Sequence, residues 1–299
     1  MENKYHTPVL LHDCIEGLAI VDGGIYVDVT FGGGGHSLEI LKNLGSGKLF
    51  AFDQDEAAEK NVPNDDRLIF VRQSFRFLKN HLRLKGIRQV DGILADLGVS
   101  SHQFDEADRG FSTRFDSELD MRMDQDAELT ARKIVEEYSE DDLFRVFRQG
   151  SDLKQVGRMV RSILAARSQG ISSTTRLREV LAPCAPFKKP AQFWAQVFQA
   201  LRIEVNDEMS ALIDLLEQTA ELIKPGGRLV VMSYHSLEDR LVKNFIRSGH
   251  VDGTLEKDFY GNPIKPFDAV NRKVIVPLDE EIELNNRARS AKLRIAKRQ

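Results

Sequence analysis

Cysteine is nearly absent: Cys14 and Cys184 are the two thiols of a 299-residue chain. So few exclude a disulfide-built fold and indicate two reduced thiols. No group of Cys and His has zinc-site spacing, so no metal is expected. No apolar run approaches the length that spans a bilayer. No signal-peptide core follows the opening M-E-N-K-Y-H. These absences predict a globular cytoplasmic protein with no membrane partner. Internal repeats and low-complexity segments are missing too. Net charge is small: 42 Lys and Arg against 46 Asp and Glu give −4, which argues against indiscriminate polyanion binding.

The charge is unevenly spread. Acids dominate residues 105–142, whereas Arg145 to Lys189 holds ten basic residues against Asp152 and Glu179. From Asn285 onward come Arg287, Arg289, Lys292, Arg294, Lys297 and Arg298 with no acid. Separated basic segments suggest a localised polyanion site. Solvated helix faces and a frayed tail would have the same composition.

The stretch that organises the chain is I-Y-V-D-V-T-F-G-G-G-G-H, from Ile25 to His36. An apolar, β-branched run over 25–29, interrupted by Asp28, suits a strand buried on both faces. Four glycines, Gly32 to Gly35, end it, and Leu38, Leu41 and Leu44 then recur at helical spacing over 37–44. Strand, glycine turn and helix open a nucleotide-binding α/β unit, because glycine admits positive φ and close ligand approach. Residues 48–53 read as the next strand, and its last residue, Asp53, stands where an acid accepts ribose hydroxyls. An adenosine-containing ligand is expected. Gly32, Gly34 and Ser37 occupy the dinucleotide offsets, so the last fingerprint glycine is missing. S-adenosylmethionine needs the same approach and the same acid without seating a pyrophosphate.

Strand and helix continue to alternate: strands at 67–71 and 90–96, a helix over 75–84 between them, and a short helix over 13–19 before the first strand. Pro8 makes the lead-in around His6 and Thr7 extended. Such alternation predicts a parallel sheet with ligands at the strands' carboxyl ends. From 105 to 202 no parallel-sheet strand is legible. Helical patterns replace it at 131–137, 140–148, 155–167, 175–181 and 193–203, with Ser139 and Asp142 forming a capping pair. This predicts a helical domain inserted into the α/β domain. The rhythm resumes with a helix over 207–223, a Pro225-Gly226-Gly227 turn, a strand over 228–234 and a helix over 237–247. Two late strands are expected, at 271–276 and 291–296.

Asp96, at the end of the fourth strand, suits an acceptor that aligns a weakly nucleophilic exocyclic amine for methyl transfer. An Asx-turn is the plain alternative. His36 reads as a structural histidine. Ser233 to Asp239 (S-Y-H-S-L-E-D) invites a catalytic triad, but no nucleophile elbow is present, and Ser236 as N-cap with Asp239 suffices. Asp120, Arg122 and Asp124 read as a salt-bridged loop rather than a metal site. Phe193, Trp194 and Phe198 read as core rather than base-stacking platforms.

Together these runs resemble one family, the ribosomal RNA small subunit methyltransferase H (MraW) family. They are Y-H-T-P-V-L from Tyr5, D-V-T-F-G-G-G-G-H-S from Asp28, D-G-I-L-A-D-L-G-V-S-S from Asp91 and R-G-F-S from Arg109. They continue with L-D-M-R-M-D from Leu119, F-Q-A-L-R-I-E-V-N from Phe198, S-Y-H-S-L-E-D-R from Ser233 and A-R-S-A-K-L-R from Ala288. The resemblance implies a Rossmann-like class I S-adenosylmethionine-dependent methyltransferase domain (1–104 and 203–299) with a substrate-recognising helical insertion (105–202). It implies N4-methylation of a cytidine in the decoding centre of 16S rRNA, with the small ribosomal subunit as partner; monomer and homodimer are both open. The implied donor contacts are Gly34, Gly35, His36, Asp53, Phe75, Asp96 and Gln103, with Phe77 an alternative to Phe75 against the adenine. Asp96 is also the catalytic candidate, from its place at the end of the fourth strand rather than from the resemblance, although no general base is required. The insertion and basic tail would grip rRNA phosphates. One departure stands out: where the family reads H-P-A-T-R, this chain has Q-F-W-A-Q, leaving Gln196 at an expected arginine. An NAD-linked oxidoreductase and a non-enzymatic RNA-binding assembly factor are the competing readings.

Overall fold

The computed structural model describes residues 8–299, so Tyr5, His6 and Thr7 of the opening run lie outside the described residues. Two compact units make up the chain: residues up to Gly98 together with Met209–Gln299, and Val99–Glu208. No helix among the described residues is long and apolar enough to cross a membrane.

The first unit contains the strands β1 (Ile25–Asp28), β2 (Lys48–Asp53), β3 (Leu68–Arg72), β4 (Val90–Asp96), β5 (Ile223–Ser233), β6 (Phe267–Ala269) and β7 (Lys292–Arg298). They form one sheet in the order β3-β2-β1-β4-β5-β7-β6. β1 to β5 are parallel, and β7 is antiparallel to both of its neighbours. The central strands are apolar throughout because helices cover both faces. Alternate residues go to opposite sides: Val27, Phe52, Ile93 and Val231 join one core, and Tyr26, Ala51, Leu94 and Val230 the other. The fold is Rossmann-like. The antiparallel strand β7, between β5 and β6, sets it apart from the 3-2-1-4-5-6 sheets that bind dinucleotides.

Several elements differ from the sequence reading for identifiable reasons. The expected helix over 75–84 is a 3-10 turn, Phe75–Phe77, followed by a helix, Leu78–Leu84, because the Ser74 hydroxyl caps the turn by accepting from Arg76 N–H at 3.4 Å. Residues 271–276 are not a strand. The Asn271 amide turns back to donate to the Lys273 carbonyl at 2.7 Å, and only Ile275 bridges to Leu293. A three-residue strand, β6, occurs earlier instead. Pro225, Gly226 and Gly227 form a bulge inside β5 rather than a turn before it: Val90 pairs with Ile223, and Gly92 then pairs with Arg228. Gly226 has φ 86°, and a Cβ on Gly227 would lie 2.6 Å from the Asp91 carbonyl oxygen, so no side chain fits there.

The second unit is helical. Its main helices are Ala131–Glu137, Glu140–Gln149, Val156–Ala166, Thr174–Leu181 and Pro190–Val205. They enclose a core that includes Phe147, Met159, Ile163, Leu177 and Leu201. Phe193 and Phe198 belong to this core and Trp194 packs on it, as the core reading expects. Ser139 caps its helix by accepting from Asp142 N–H at 3.1 Å. Arg122 forks onto Asp120 at 2.7 and 2.9 Å, the expected salt-bridged loop.

Arg109 and Asn206 also hold that loop, Arg109 by donating to the Arg122 carbonyl at 2.9 Å. Met121 has φ 62°, a left-handed conformation that few non-glycine residues adopt. The Asn206 amide nitrogen donates to the carbonyls of Met121 at 2.8 Å and Arg202 at 2.9 Å, and its oxygen accepts from Met123 N–H at 2.7 Å. Asn206→Asp replaces the two donated bonds with carboxylate facing carbonyl. It should lower stability by about 1–3 kcal/mol in chemical denaturation, and an unchanged midpoint would refute this role.

Candidate functional site

At the sheet's carboxyl edge, where parallel α/β sheets bind ligands, β1, β2 and β4 each end in an aspartate: Asp28, Asp53 and Asp96. Asp28 is 1% exposed. Its Oδ2 accepts from the Ser37 hydroxyl at 2.7 Å, and its Oδ1 from the Thr30 N–H at 3.1 Å and hydroxyl at 3.4 Å. Burial raises its pKa above the usual carboxylate range, and these bonds oppose the rise. Thr30 extends the network, because its Oγ1 accepts the Asp96 N–H at 2.7 Å.

The glycine turn is stitched to β2. Phe31 N–H donates to the Phe52 carbonyl at 2.9 Å, and Gly32 N–H donates to Asp53 Oδ2 at 2.7 Å. Gly34 has φ 78°. A Cβ on Gly35 would lie 2.3 Å from Pro8 Cγ, so packing by the chain itself already requires glycine there. The helix after the turn begins at Gly35 rather than 37 and runs to Asn43. Its first bond, Leu38 N–H to the Gly34 carbonyl at 2.8 Å, leaves the N–H groups of Gly35, His36 and Ser37 outside the ladder.

Asp53 Oδ1 accepts from Asp55 N–H at 2.9 Å. Burial pushes Asp53 up to about 6, partly opposed by the Asp55 and Gly32 bonds. Each oxygen has one backbone donor, and a carboxylate offers about four acceptor positions. Two remain for the vicinal hydroxyls of a ribose, so the residues present fit an adenosine-containing donor.

Asp96 retains 24% side-chain exposure. Its Oδ1 accepts from the Tyr234 hydroxyl at 2.9 Å, and its Oδ2 lies 3.8 Å from His36 Nδ1. Burial raises Asp96 to about 6, while His36 and the Tyr234 bond act the other way. Burial and Asp96 together push the Tyr234 phenol well above its usual value. His36 is 6% exposed, with Nε2 at 3.2 Å from the Val9 carbonyl. A carbonyl only accepts, so Nε2 carries a hydrogen and Nδ1 faces Asp96. His36 is therefore a core histidine by its ring, and only its backbone N–H remains for a ligand.

The other expected positions fall as follows. Phe75 is partly buried against the sheet core, and Phe77 is 43% exposed. Gln103 belongs to the helical unit, where it closes a capping box: Ser100 Oγ accepts its N–H at 3.2 Å, and its Oε1 accepts from Ser100 N–H at 3.0 Å. The capping pair after β5 is one residue earlier than read. His235, not Ser236, is the N-cap of the helix Ser236–Ser248, and Glu238, not Asp239, answers it by accepting from the N–H groups of Tyr234 and His235. Asp239 instead holds Arg294 at 2.7 Å and Lys292 at 3.5 Å. The basic tail is thus largely strand β7 rather than a free arm, with Arg298 donating to the Ala220 and Pro266 carbonyls.

Sequence reasoning passed over Thr30, Ser37 and Tyr234, and took Asp28 only as an interruption. One signal was available: an acid inside a buried strand demands nearby donors, and Thr30 and Ser37 follow it within the same run.

Compared with known proteins, the sequence matches the MraW methylase family over residues 3–299. This chain belongs to the MraW methylase family. The ribosomal RNA small subunit methyltransferase H of Flavobacterium johnsoniae is 58% identical, over 99% of this chain and 98% of that protein. The protein of the same name from Parabacteroides distasonis is 56% identical, with both chains fully covered. The first unit of this MraW family member has the class I methyltransferase form of the Rossmann-like fold.

The raised acid in this MraW site has a consequence for stability. A folded pKa of about 6 for Asp96 lies above the unfolded value near 3.9, so the fold binds a proton that the unfolded chain releases. The contribution is favourable below pH about 4 and is lost as pH rises through about 6. In Asp96→Asn the side-chain oxygen can still accept from Tyr234, and no carboxyl group remains there to titrate. The variant should be more stable than the parent by about 1–3 kcal/mol at pH 7.5 and indistinguishable from it near pH 4. Urea unfolding at both pH values tests this, and an equal difference at both would contradict it.

Proposed function

We propose that this protein methylates N4 of a cytidine in the decoding centre of 16S rRNA, within the small ribosomal subunit in the cytoplasm. The coarser activity, methylation of rRNA, is that of its family. The methyl donor is S-adenosylmethionine. The observation that carries the reading is the convergence at one sheet edge of a carboxylate tied to the glycine turn, Asp53, the turn itself and a partly exposed carboxyl group, Asp96.

When bound, S-adenosylmethionine supplies a methyl group on a positively charged sulfonium, which leaves as a neutral thioether. Asp53 would hold the ribose, and the N–H groups that lie outside the ladder at the start of the helix Gly35–Asn43 would seat polar atoms of the donor. Asp28, Asp53 and Asp96 at neighbouring strand ends favour a cation over a pyrophosphate. The amine of cytosine is conjugated with its ring and is a weak nucleophile. The carboxylate of Asp96 accepts one N4–H, draws the nitrogen toward tetrahedral geometry and aligns its lone pair. The step forms one N–C bond, breaks one C–S bond and releases one proton to water, so Asp96 orients without having to act as a base. The target cytidine must leave its stack to present N4. The helical unit, carrying the basic segment from Arg145 to Lys189, serves substrate recognition.

Transfer of labelled methyl groups to small subunits lacking the modification, followed by nucleoside mass spectrometry, should yield N4-methylcytidine. No incorporation despite measured donor binding would favour the assembly-factor reading. Asp96→Ala should abolish most transfer, and unchanged transfer with unchanged donor affinity would eliminate both of its roles. Donor affinity should weaken as pH falls through about 6, because protonated Asp53 loses acceptor capacity. Calorimetric titrations between pH 5 and 8 read this directly, and a flat profile would remove the ionised Asp53 from the donor site.

A further inference from the structure

The side chain of Phe187 is 102% exposed, and between Phe144 and Leu255 it is the only large exposed apolar side chain among the described residues. It sits in A-P-F-K-K-P, with Pro186 before it and Lys188, Lys189 and Pro190 after it. The two prolines restrict the turn, and Lys189 takes a left-handed backbone with φ 59° just before the helix Pro190–Val205. Lys188 and Lys189 are exposed. The turn is anchored at Cys184, whose Sγ lies 3.7 Å from Ser162 Oγ on the helix Val156–Ala166. Phe187 is three residues beyond Cys184, within about 11 Å of it along the chain. The same helix exposes Arg158 and Arg161, and Lys154 precedes it, also exposed. None of these five cations is ion-paired among the described residues. Gly157, between Lys154 and Arg158, has open space beside it.

An apolar docking surface for a protein needs a contiguous patch. A single ring among unpaired cations matches the chemistry of an unstacked nucleotide instead, with a base to cover the ring and phosphates to meet the charges. We propose that the Phe187–Lys189 turn, together with Lys154, Arg158 and Arg161, binds an unpaired segment of the RNA substrate, with Phe187 stacking on a base and the cations pairing with adjacent phosphates. This rests on the RNA-methylating reading and assigns part of its substrate recognition to named residues.

The test uses the full chain with two readouts, binding of a fluorescein-labelled oligocytidine and KM for small subunits. Phe187→Ala and Phe187→Leu should each weaken oligonucleotide binding roughly fivefold to a hundredfold and raise KM for subunits, with donor affinity unchanged. Phe187→Trp should restore both. Lys188→Gln with Lys189→Gln should flatten the dependence of log affinity on log salt by about 0.7 for each phosphate that the two lysines neutralise. Wild-type behaviour of Phe187→Ala overturns the proposal. A Leu variant as good as the parent in subunit KM also overturns it, since an apolar contact with a subunit protein would explain that result. An unchanged salt slope removes the phosphate pairing and overturns it as well. If the parent transfers no methyl groups but binds the oligonucleotide through Phe187, the RNA contact stands and the reading of the activity fails instead.

Discussion

A carboxylate shut away from water must be met by donors, and at the end of β1 Asp28 takes them from Ser37 and Thr30. Those bonds set the geometry of everything around them. Ser37 is in the first turn of the helix after the glycines, so its bond to Asp28 fixes where that helix begins relative to the strand. Thr30 receives the Asp96 backbone, so β4's last residue is placed from the same point. Asp53 joins from the other side through Gly32. The edge is a set of mutually dependent polar bonds laid over an apolar sheet. Losing one partner would strand the others without compensation.

This arrangement carries an electrostatic tension. Three aspartates gather where solvent is scarce: burial raises Asp53 and Asp96 to about 6, with smaller contributions from Asp55 and Asp28 to the first and from Asp28 and Glu238 to the second. Structure alone does not call for such a cluster, since neutral residues of the same shape would sit there more comfortably. It becomes favourable when positive charge enters the crevice. Stability is spent at the place where binding recovers it, which is common at functional sites.

The sheet was largely legible in the sequence because its strands are buried on both faces and read as continuous apolar runs. The helices of the second unit were legible because their apolar residues recur with helical period. The errors have local causes. Whether Phe75 begins a 3-10 turn or an α-helix depends on a serine hydroxyl. Whether His235 or Ser236 caps the helix after β5 depends on which acid reaches back, and both Glu238 and Asp239 are present. β6 has three residues and no periodicity to detect. At the candidate site, the gathering of Asp53, Asp96 and the glycine turn at one sheet edge could be read from their positions at strand ends. Tyr234 could not, because it meets Asp96 only after distant strands pair. The inward turn of the His36 ring likewise follows from Val9 and Asp96, neither of which is its neighbour in sequence.

β4 and β5 lie side by side in the sheet, yet the whole of Val99–Glu208 separates them in the chain. Joining two strands across so long a loop costs about 4 kcal/mol in chain entropy. The intervening segment is helical, with helices close in sequence packed on one another, and such structure forms quickly. Once it is compact, the ends it presents to β4 and β5 are no longer those of a random coil. The connectivity favours an order of assembly in which the inserted helices condense before β4 and β5 pair and bring Tyr234 to Asp96.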